Sequence, residues 1–265
     1  MIPDDMGALN KRRAASVHFS GLLLFDDAME NALEDTQNDI LHKALAMHGF
    51  TERDLPGDPA RFSLFLQRTL DLDPTAYHGI SSYEPKAALP GGLTRHVFPY
   101  TYGSVNIWTL ETPRGLAVVD TGCTPAQFAE ATGGIEPAAV FITHDHGDHN
   151  GGLSAATCPV YGEGLQAPAE WGGWHVHTVD LAGHTAHSLG YVFSRPGKTL
   201  FFTGDALFAG SIGNAPCDPA SAIRRIARAL AGLPADTVIC PGHGPATTKE
   251  LEEKFNPFLA GKPEA

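Results

Sequence analysis

The stretch that decides the fold is Thr143-His144-Asp145-His146-Gly147-Asp148-His149-Asn150-Gly151-Gly152. It follows an apolar run over residues 139–143 that predicts a buried strand. Three imidazoles and two carboxylates so close together have little structural use, because buried groups of this kind must each be paired or solvated. A loop at the carboxyl end of a strand can instead turn several of them toward one cation. This mixture of nitrogen and oxygen ligands suits zinc, iron or manganese.

Three later segments each place one candidate ligand beside a glycine at the end of a predicted strand. His184 precedes the strand predicted over 188–193, Asp205 follows the one over 199–202, and His243 follows the one over 237–240. Taken singly, each would be an ordinary turn residue. One loop cannot complete the coordination of two ions, so together with the first cluster these residues predict a shared metal site.

The order of these residues resembles a known family pattern. His144-x-His146-x-Asp148-His149, followed by His184, Asp205 and His243, is similar to the seven-ligand pattern of the metallo-β-lactamase fold hydrolases, over residues from about 95 to 260. The segments 202–208, 241–248 and 256–259 are most similar to the glyoxalase II-like branch, the hydroxyacylglutathione hydrolases. The resemblance implies an α/β fold, an αββα sandwich with the metal site at one edge between the two sheets.

The resemblance also implies a division of the ligands between two divalent metal ions, with zinc as the first expectation and iron or manganese as alternatives. One ion would be held by His144, His146 and His184, the second by Asp148, His149 and His243, and Asp205 would bridge them. A hydroxide shared by cations about 4 Å apart would then attack the carbonyl of a small thioester or ester. Asp148 and Asp205 are accordingly the carboxylates expected to take part in catalysis.

Two further carboxylates lie close to the ligands in sequence. Asp120, in Asp120-Thr121-Gly122, is expected to orient ligands rather than to bind metal. Asp145 is expected to be a loop residue or to lie behind the ligands. His187 has two open interpretations: a proton shuttle or substrate contact beside the metals, or simply the start of the next strand.

The chain before residue 93 has the apolar periodicity of helices and not of strands. Apolar residues at helical spacing predict one helix ending before Gly49 and a second ending before Pro74. The Pro- and Gly-bearing run over 88–92 is the expected boundary. We therefore predict an N-terminal, mainly helical extension over 1–92 and a catalytic domain over 93–265. His18, His42, His48 and His78 are expected to be ordinary surface or core residues.

Several alternatives to a dinuclear hydrolase stay open at this stage. Related family members include mononuclear iron persulfide dioxygenases, whose three ligands would here be His144, His184 and Asp205. A lactonase of the same fold is possible, whereas true zinc β-lactamases lack an acidic ligand at the position of Asp205. A non-catalytic metal-binding scaffold is disfavoured because no ligand is lost. Only 22 residues follow His243, so the helical glutathione-binding domain of glyoxalase II is not expected there.

The amino-acid composition indicates which binding partners and which cellular compartment to expect. With 30 acidic against 18 basic residues and a net charge of −12, the chain offers no electrostatic basis for binding nucleic acid. The apolar run over 21–25 is too short for a membrane span, and a signal peptide over 11–25 is only weakly indicated. Four cysteines without a C-x-x-C pair favour a reducing, cytoplasmic setting. We expect a small-molecule substrate, no nucleic acid, no membrane, and a possible homodimer through the N-terminal extension.

Overall fold

The computed structural model describes residues 32–261 except residues 102 and 217. The weakly indicated signal peptide over 11–25, His18 and Cys217 lie outside this part of the chain. Within it, no helix combines the length and the apolar character needed to cross a bilayer.

Helices precede, separate and follow the strands. Their bounds are α1 Ala32–Met47, α2 Pro59–Arg68, α3 Pro74–Gly79, α4 Pro125–Ala131, α5 Gly147–Asn150, α6 Pro219–Ala231 and α7 Lys249–Phe255, with 3-10 turns at Glu52–Asp54, Ile80–Ser82 and Leu153–Ala155. The strand bounds are β1 Leu93–Tyr100, β2 Gly103–Thr112, β3 Gly115–Val119, β4 Ala139–Phe141, β5 Val160–Tyr161, β6 Glu170–Trp171, β7 Trp174–Asp180, β8 Leu189–Arg195, β9 Lys198–Gly204, β10 Leu207–Phe208, β11 Ser211–Ile212, β12 Val238–Pro241 and β13 Thr247–Thr248.

The strands form two large sheets and a small hairpin. The first sheet has the order β1-β2-β3-β4-β5, the second has the order β13-β12-β9-β8-β7-β6, and β10 pairs with β11. Between the sheets lies an aromatic core that includes Trp108, Phe141, Phe193 and Phe202. Helix α4 covers the outer face of the first sheet through Phe128 and Ala131. Helices on both outer faces complete the predicted αββα sandwich.

The N-terminal helices share the core on the outer face of the second sheet. Ile40 and Leu45 of α1, Leu66 of α2 and Tyr77 of α3 are buried in one cluster with Phe201 of β9. The same cluster contains Ile223, Ile226 and Leu230 of α6. Residues 32–83 therefore pack as part of the outer helical layer. The division into domains at residue 92 stays a prediction.

Pro74 begins a helix that the sequence analysis did not foresee. The expected second helix is present as α2, but the chain then forms α3, whose first residue is Pro74 and whose cap is Asp73, with Oδ1 accepting from the Ala76 backbone N–H at 2.7 Å. Proline fits the first turn of a helix because the missing N–H would have no partner there. Pro74 was expected only to follow the end of a helix, but it is the first residue of α3.

Candidate metal centre

All seven predicted ligands lie at one edge of the sandwich, where strands end. His144, His146, Asp148 and His149 follow β4, and His184 lies in the loop between β7 and β8. Asp205 follows β9, and His243 follows β12. Strands β9 and β12 are parallel neighbours with Gly204 in register with Pro241, so their carboxyl ends bring Asp205 and His243 to the same place.

The first ligand group is His144, His146, His184 and Asp205, whose ligand atoms all lie within 4.8 Å of one another. His146 Nδ1 is 3.2 Å from His144 Nε2 and 2.9 Å from His184 Nε2. Asp205 Oδ2 is 3.5 Å from His184 Nε2 and 3.9 Å from His144 Nε2. Three imidazole nitrogens and one carboxylate oxygen therefore face a common point.

The second ligand group is Asp148, His149 and His243, again within 4.8 Å of one another. The two Nε2 atoms of His149 and His243 are 3.3 Å apart. Asp148 Oδ2 lies 3.7 Å from His149 Nε2 and 3.4 Å from His243 Nε2.

Asp205 connects the two groups. Its Oδ1 is 3.3 Å from His149 Nε2 and its Oδ2 is 3.1 Å from His243 Nε2, in addition to the contacts with the first group. The carboxylate thus approaches two histidines of each group. Its Oδ1 atom is buried and accepts no well-formed hydrogen bond, which is costly for a carboxylate unless a cation takes the place of a donor.

Four of the five histidines are held from behind, each through the ring nitrogen that points away from the centre. The acceptors are the Thr143 hydroxyl for His144 at 3.0 Å, Asp120 Oδ2 for His149 at 2.8 Å, the Asn214 carbonyl for His184 at 3.0 Å and the Ser104 carbonyl for His243 at 2.6 Å. An oxygen acceptor on Nδ1 places the proton there and leaves Nε2 free to bind a cation. The ligands are therefore oriented as a metal site requires.

Asp120 lies behind both groups, with hydrogen bonds to Thr143 and His149, and its orienting role stays a prediction that this position supports. It is 2% exposed and accepts from the Thr143 backbone N–H at 2.8 Å as well as from its hydroxyl. That hydroxyl, having given its proton to Asp120, can accept from His144. Asp120 also has a φ of 61°, an uncommon conformation that Asp tolerates better than most residues.

The loop that carries His243 is fixed to the first sheet. Asn106 Nδ2 donates to the Pro241 carbonyl at 3.0 Å and to the Gly244 carbonyl at 2.8 Å, and Trp108 Nε1 also donates to Pro241 at 2.8 Å. A Cβ at Gly242 would overlap Asp205 Oδ1 and the His149 ring. Asn106 and Trp108 were not predicted as part of the site, because an Asn or Trp inside an apolar strand has no feature that indicates its partner.

The two groups differ in how they hold protons. Burial and the neighbouring His149 lower the pKa of His144 to about 2, and burial lowers the pKa of His184. Burial opposes protonation of His149 and His243, but the carboxylates around them together outweigh it. Asp205 and Asp120 raise the pKa of His149 well above its usual range, and Asp205 and Asp148 raise that of His243 to about 9. These charges in turn overcome burial and hold the pKa of Asp205 well below its usual range. The histidines of the second group therefore hold protons more strongly than His144 and His184 of the first.

Exposure shows which side of the centre is open. His144, His149, His243 and Asp205 are buried, whereas His146 is exposed and Asp148 and His184 are partly exposed. The partly buried Tyr100 stacks on the His243 ring at 5.6 Å. The centre therefore has a buried floor and a rim through which a small molecule can reach it.

Neither ligand group includes Asp145, His187, His175 or His177. Asp145 is exposed, as expected for a loop residue. His187 is exposed and its Nε2 lies 3.5 Å from Glu163 Oε1, and its proposed shuttle role stays a prediction. His175 and His177 are on the exposed face of β7. Trp171 and Trp174 are core residues at 1% exposure each, and Cys123, Cys158 and Cys240 are free.

The chemistry of the donor set fits divalent metal ions. Five imidazoles and two carboxylates converge, four of the imidazoles are held through their Nδ1 atoms, and a buried carboxylate oxygen between them lacks a donor. Nitrogen and oxygen ligands of this kind bind zinc, iron and manganese. The arrangement defines the protein as an αββα sandwich with a metal-binding centre at the strand ends.

Comparison with known proteins gives the family. The model of the metallo-beta-lactamase superfamily matches residues 100–156 and 170–243. A hydroxyacylglutathione hydrolase of Halorhodospira halophila (strain DSM 244 / SL1) is 36% identical over 132 residues, covering 43% of this chain and 50% of the relative. This chain belongs to the metallo-beta-lactamase superfamily, which confirms the predicted resemblance. It spans about half the length of that curated relative.

Two solved structures show the same fold. A B3 metallo-beta-lactamase, BLEG-1, superposes with a TM-score of 0.55 at 22% identity, covering 63% of this chain and 100% of that one. ETHE1 from Myxococcus xanthus superposes with a TM-score of 0.53 at 22% identity, covering 64% of this chain and 86% of that one. Both alignments leave about a third of this chain outside the shared fold.

Proposed function

We propose that this protein is a metal-dependent hydrolase that uses two divalent ions, zinc in the first place, to cleave a small thioester or ester. The substrate class comes from the similarity to a hydroxyacylglutathione hydrolase. The number of ions comes from the geometry of the centre. A cytoplasmic location, a homodimer through residues 1–92 and the lack of nucleic-acid or membrane partners stay predictions.

The position of Asp205 carries the proposal. Its two oxygens lie 3.1–3.9 Å from the Nε2 atoms of four histidines, two from each ligand group. A carboxylate that held a single ion would need to approach only one group. Asp205 is therefore suited to bridge two cations, with His144, His146 and His184 on one side and Asp148, His149 and His243 on the other.

In the proposed reaction, the metal ions and the residues around the centre have different roles. When bound, a pair of divalent ions supplies an activated water at neutral pH and polarises a carbonyl oxygen. The oxygen acceptors on the Nδ1 atoms of four histidines orient these rings so that their Nε2 atoms face the centre, where a cation would bind. The rim formed by the exposed His146 and the partly exposed His184 admits the substrate, and the Tyr100 ring stacks on His243.

The test pairs metal analysis with a turnover screen. Metal content is measured on the purified protein, and hydrolysis is assayed with acyl thioesters, aryl esters and lactones. Asp205→Asn is expected to lower both metal content and turnover to the level of chelator-treated protein, because it removes the shared negative charge. The matched control is Asp145→Asn, which neutralises an exposed carboxylate in the same loop as four ligands and is expected to leave both unchanged.

Three results would overturn parts of the proposal. One iron per chain with oxygen consumption on glutathione persulfide would assign a dioxygenase that uses His144, His184 and Asp205. If only lactones were hydrolysed, the substrate class would be lactones and not thioesters or open-chain esters. Full turnover by Asp205→Asn would exclude the bridging role of the carboxylate.

A further inference from the structure

The hairpin formed by β10 and β11 begins and ends at the metal centre. Asp205 lies two residues before it, and Asn214, whose carbonyl accepts from His184 Nδ1 at 3.0 Å, lies two residues after it. Gly213 lies so close to the Asp205 carbonyl that a Cβ would overlap it, and its backbone N–H donates to Ala206 at 3.1 Å. The path of the hairpin therefore sets the positions of the bridging carboxylate and of the carbonyl that orients His184.

A lysine from the N-terminal helix α1 holds this hairpin through hydrogen bonds to its second strand. Lys43 Nζ donates to the Ile212 carbonyl at 2.7 Å and to the Ser211 hydroxyl at 3.0 Å. It also lies 5.9 Å from the centre of the Phe208 ring, and that ring is 5.9 Å from the His243 ring. Lys43 thus contacts both strands of the hairpin, one residue before Gly213 on the second strand.

The burial of Lys43 is costly. The residue is 5% exposed, and a buried ammonium group must be compensated by hydrogen bonds and an opposite charge. Asp39 Oδ2, one turn earlier in α1, lies 3.4 Å from Nζ. An apolar side chain would fill the same space without this cost, so stability alone does not account for a lysine here. Its two hydrogen bonds fix the hairpin backbone in a way that an apolar contact cannot.

We propose that Lys43 is a positioning residue for the metal centre. It anchors the β10–β11 hairpin, so that Asp205 keeps its place between the two ligand groups and the Asn214 carbonyl keeps His184 oriented. The N-terminal helical segment then forms part of the support of the site and is more than a cover for the second sheet. The proposal rests on the metal centre of the proposed function and does not depend on the substrate.

Lys249 offers a closely matched control. It is 7% exposed, donates to the Leu233 carbonyl at 3.0 Å, and lies 3.4 Å from Glu253 one helical turn away. It therefore repeats the burial, the carbonyl acceptor and the neighbouring carboxylate of Lys43, but its contacts are with the end of α6 and not with the hairpin. Methionine at either position keeps the length of the side chain and removes its charge.

The experiment titrates the full-length metal-free protein with Co²⁺ against a competing chelator and records the visible spectrum of the bound ion. Lys43→Met is expected to lower Co²⁺ affinity by about 10- to 100-fold, the usual range for groups that orient ligands, and to change the spectrum. Lys249→Met is expected to match the parent protein in both. Lys43→Arg, which keeps a charge and donors, is expected to recover most of the affinity.

Two outcomes would overturn the proposal. The first is that Lys43→Met and the parent protein have equal Co²⁺ affinity and the same spectrum. The other is loss of affinity only in proportion to global unfolding, measured by urea denaturation of the same metal-free samples. If Lys43→Met folds poorly because Asp39 is left unpaired, Asp39→Asn/Lys43→Met removes both charges and takes its place, with the same expected loss of affinity. Because metal binding is measured without substrate, failure here is distinct from failure to find a thioester substrate.

Discussion

Two buried carboxylates of this protein have opposite surroundings. Glu252 of α7 is fully buried and accepts from the Gly210 backbone N–H at 2.9 Å, Asn256 Nδ2 at 2.9 Å, Thr247 at 2.8 Å and the Tyr83 hydroxyl. Asp205 is 7% exposed, faces four imidazoles, and has one oxygen with no well-formed hydrogen bond. Burial raises the pKa of Glu252 to about 7, whereas histidine charges overcome burial and hold that of Asp205 well below its usual range.

The difference separates a structural carboxylate from a functional one. Glu252 is surrounded by neutral donors that satisfy it in either protonation state, and it joins α7 to the N-terminal segment and to the hairpin. Asp205 is ionised and incompletely satisfied, so it depends on positive charge that the fold does not itself supply in full. A buried carboxylate among imidazoles with a missing donor indicates a cation, and a fully bonded one does not.

The largest expected effect is the response to metal. Divalent metal at about 1,000 times its dissociation constant is expected to raise the free energy of unfolding of the parent protein by about 4 kcal/mol, because only the folded chain gathers the ligands. Glu252→Gln is expected to keep this gain and Asp205→Asn to lose most of it. Urea denaturation with Zn²⁺ and with chelator measures both. If metal raised the free energy of unfolding of the two variants equally, Asp205 and Glu252 would not differ in their importance for metal binding.

The next effect is the pH dependence of stability that Glu252 produces. Its folded-state pKa of about 7 exceeds the ordinary value of 4.5, so the folded state favours the protonated form. The resulting stabilisation is complete below about pH 4.5 and is lost as pH rises through 7, a change of about 3 kcal/mol.

Glu252→Gln provides the comparison for this pH effect. The Gln side-chain oxygen can accept from Gly210 and Asn256, and its amide can donate to Thr247 and Tyr83. Urea denaturation measures the free energy of unfolding of the metal-free parent protein and of the variant. We expect the parent's value, relative to that of the variant, to fall by about 3 kcal/mol between pH 4.5 and pH 7.5. Parallel pH profiles would show that Glu252 does not titrate in this range.

A smaller effect is expected from the carboxylate behind the ligands. Asp120→Asn keeps a residue type that tolerates the positive φ but removes the negative charge facing His149 Nδ1. We expect metal affinity to fall by about 10- to 100-fold, measured by chelator competition, with Asp145→Asn as the unaffected control. Unchanged affinity would mean that the charge of Asp120 is not needed to orient His149.

Much of the site was predictable because its residues carry side-chain chemistry at strand ends. His144, Asp205 and His243 each follow an apolar strand and stand beside or near a glycine, which the sequence displays directly. The acceptors behind the rings were not predictable where they are backbone carbonyls, as at Ser104 and Asn214, because any residue type can supply one. Lys43 was equally hidden, since its partners lie about 170 residues away in the chain.

The fold was predictable where apolar periodicity is strong. The helices predicted before Gly49 and before Pro74 are confirmed as α1 and α2, and the strands predicted over 139–143, 188–193, 199–202 and 237–240 are confirmed as β4, β8, β9 and β12. Short elements were missed because two to seven residues carry too little pattern, as with the β10–β11 hairpin and α7.

Gly242 contributes no atom to the metal centre, yet its missing side chain is what allows Asp205 and His149 to approach each other. In a library of all single substitutions, this position is expected to be as intolerant as the ligands themselves. Mutational sensitivity would therefore outline a set of essential residues larger than the set that touches the ions. At Gly242 the requirement is one of empty space, and no compensating change in charge or hydrogen bonding can restore it.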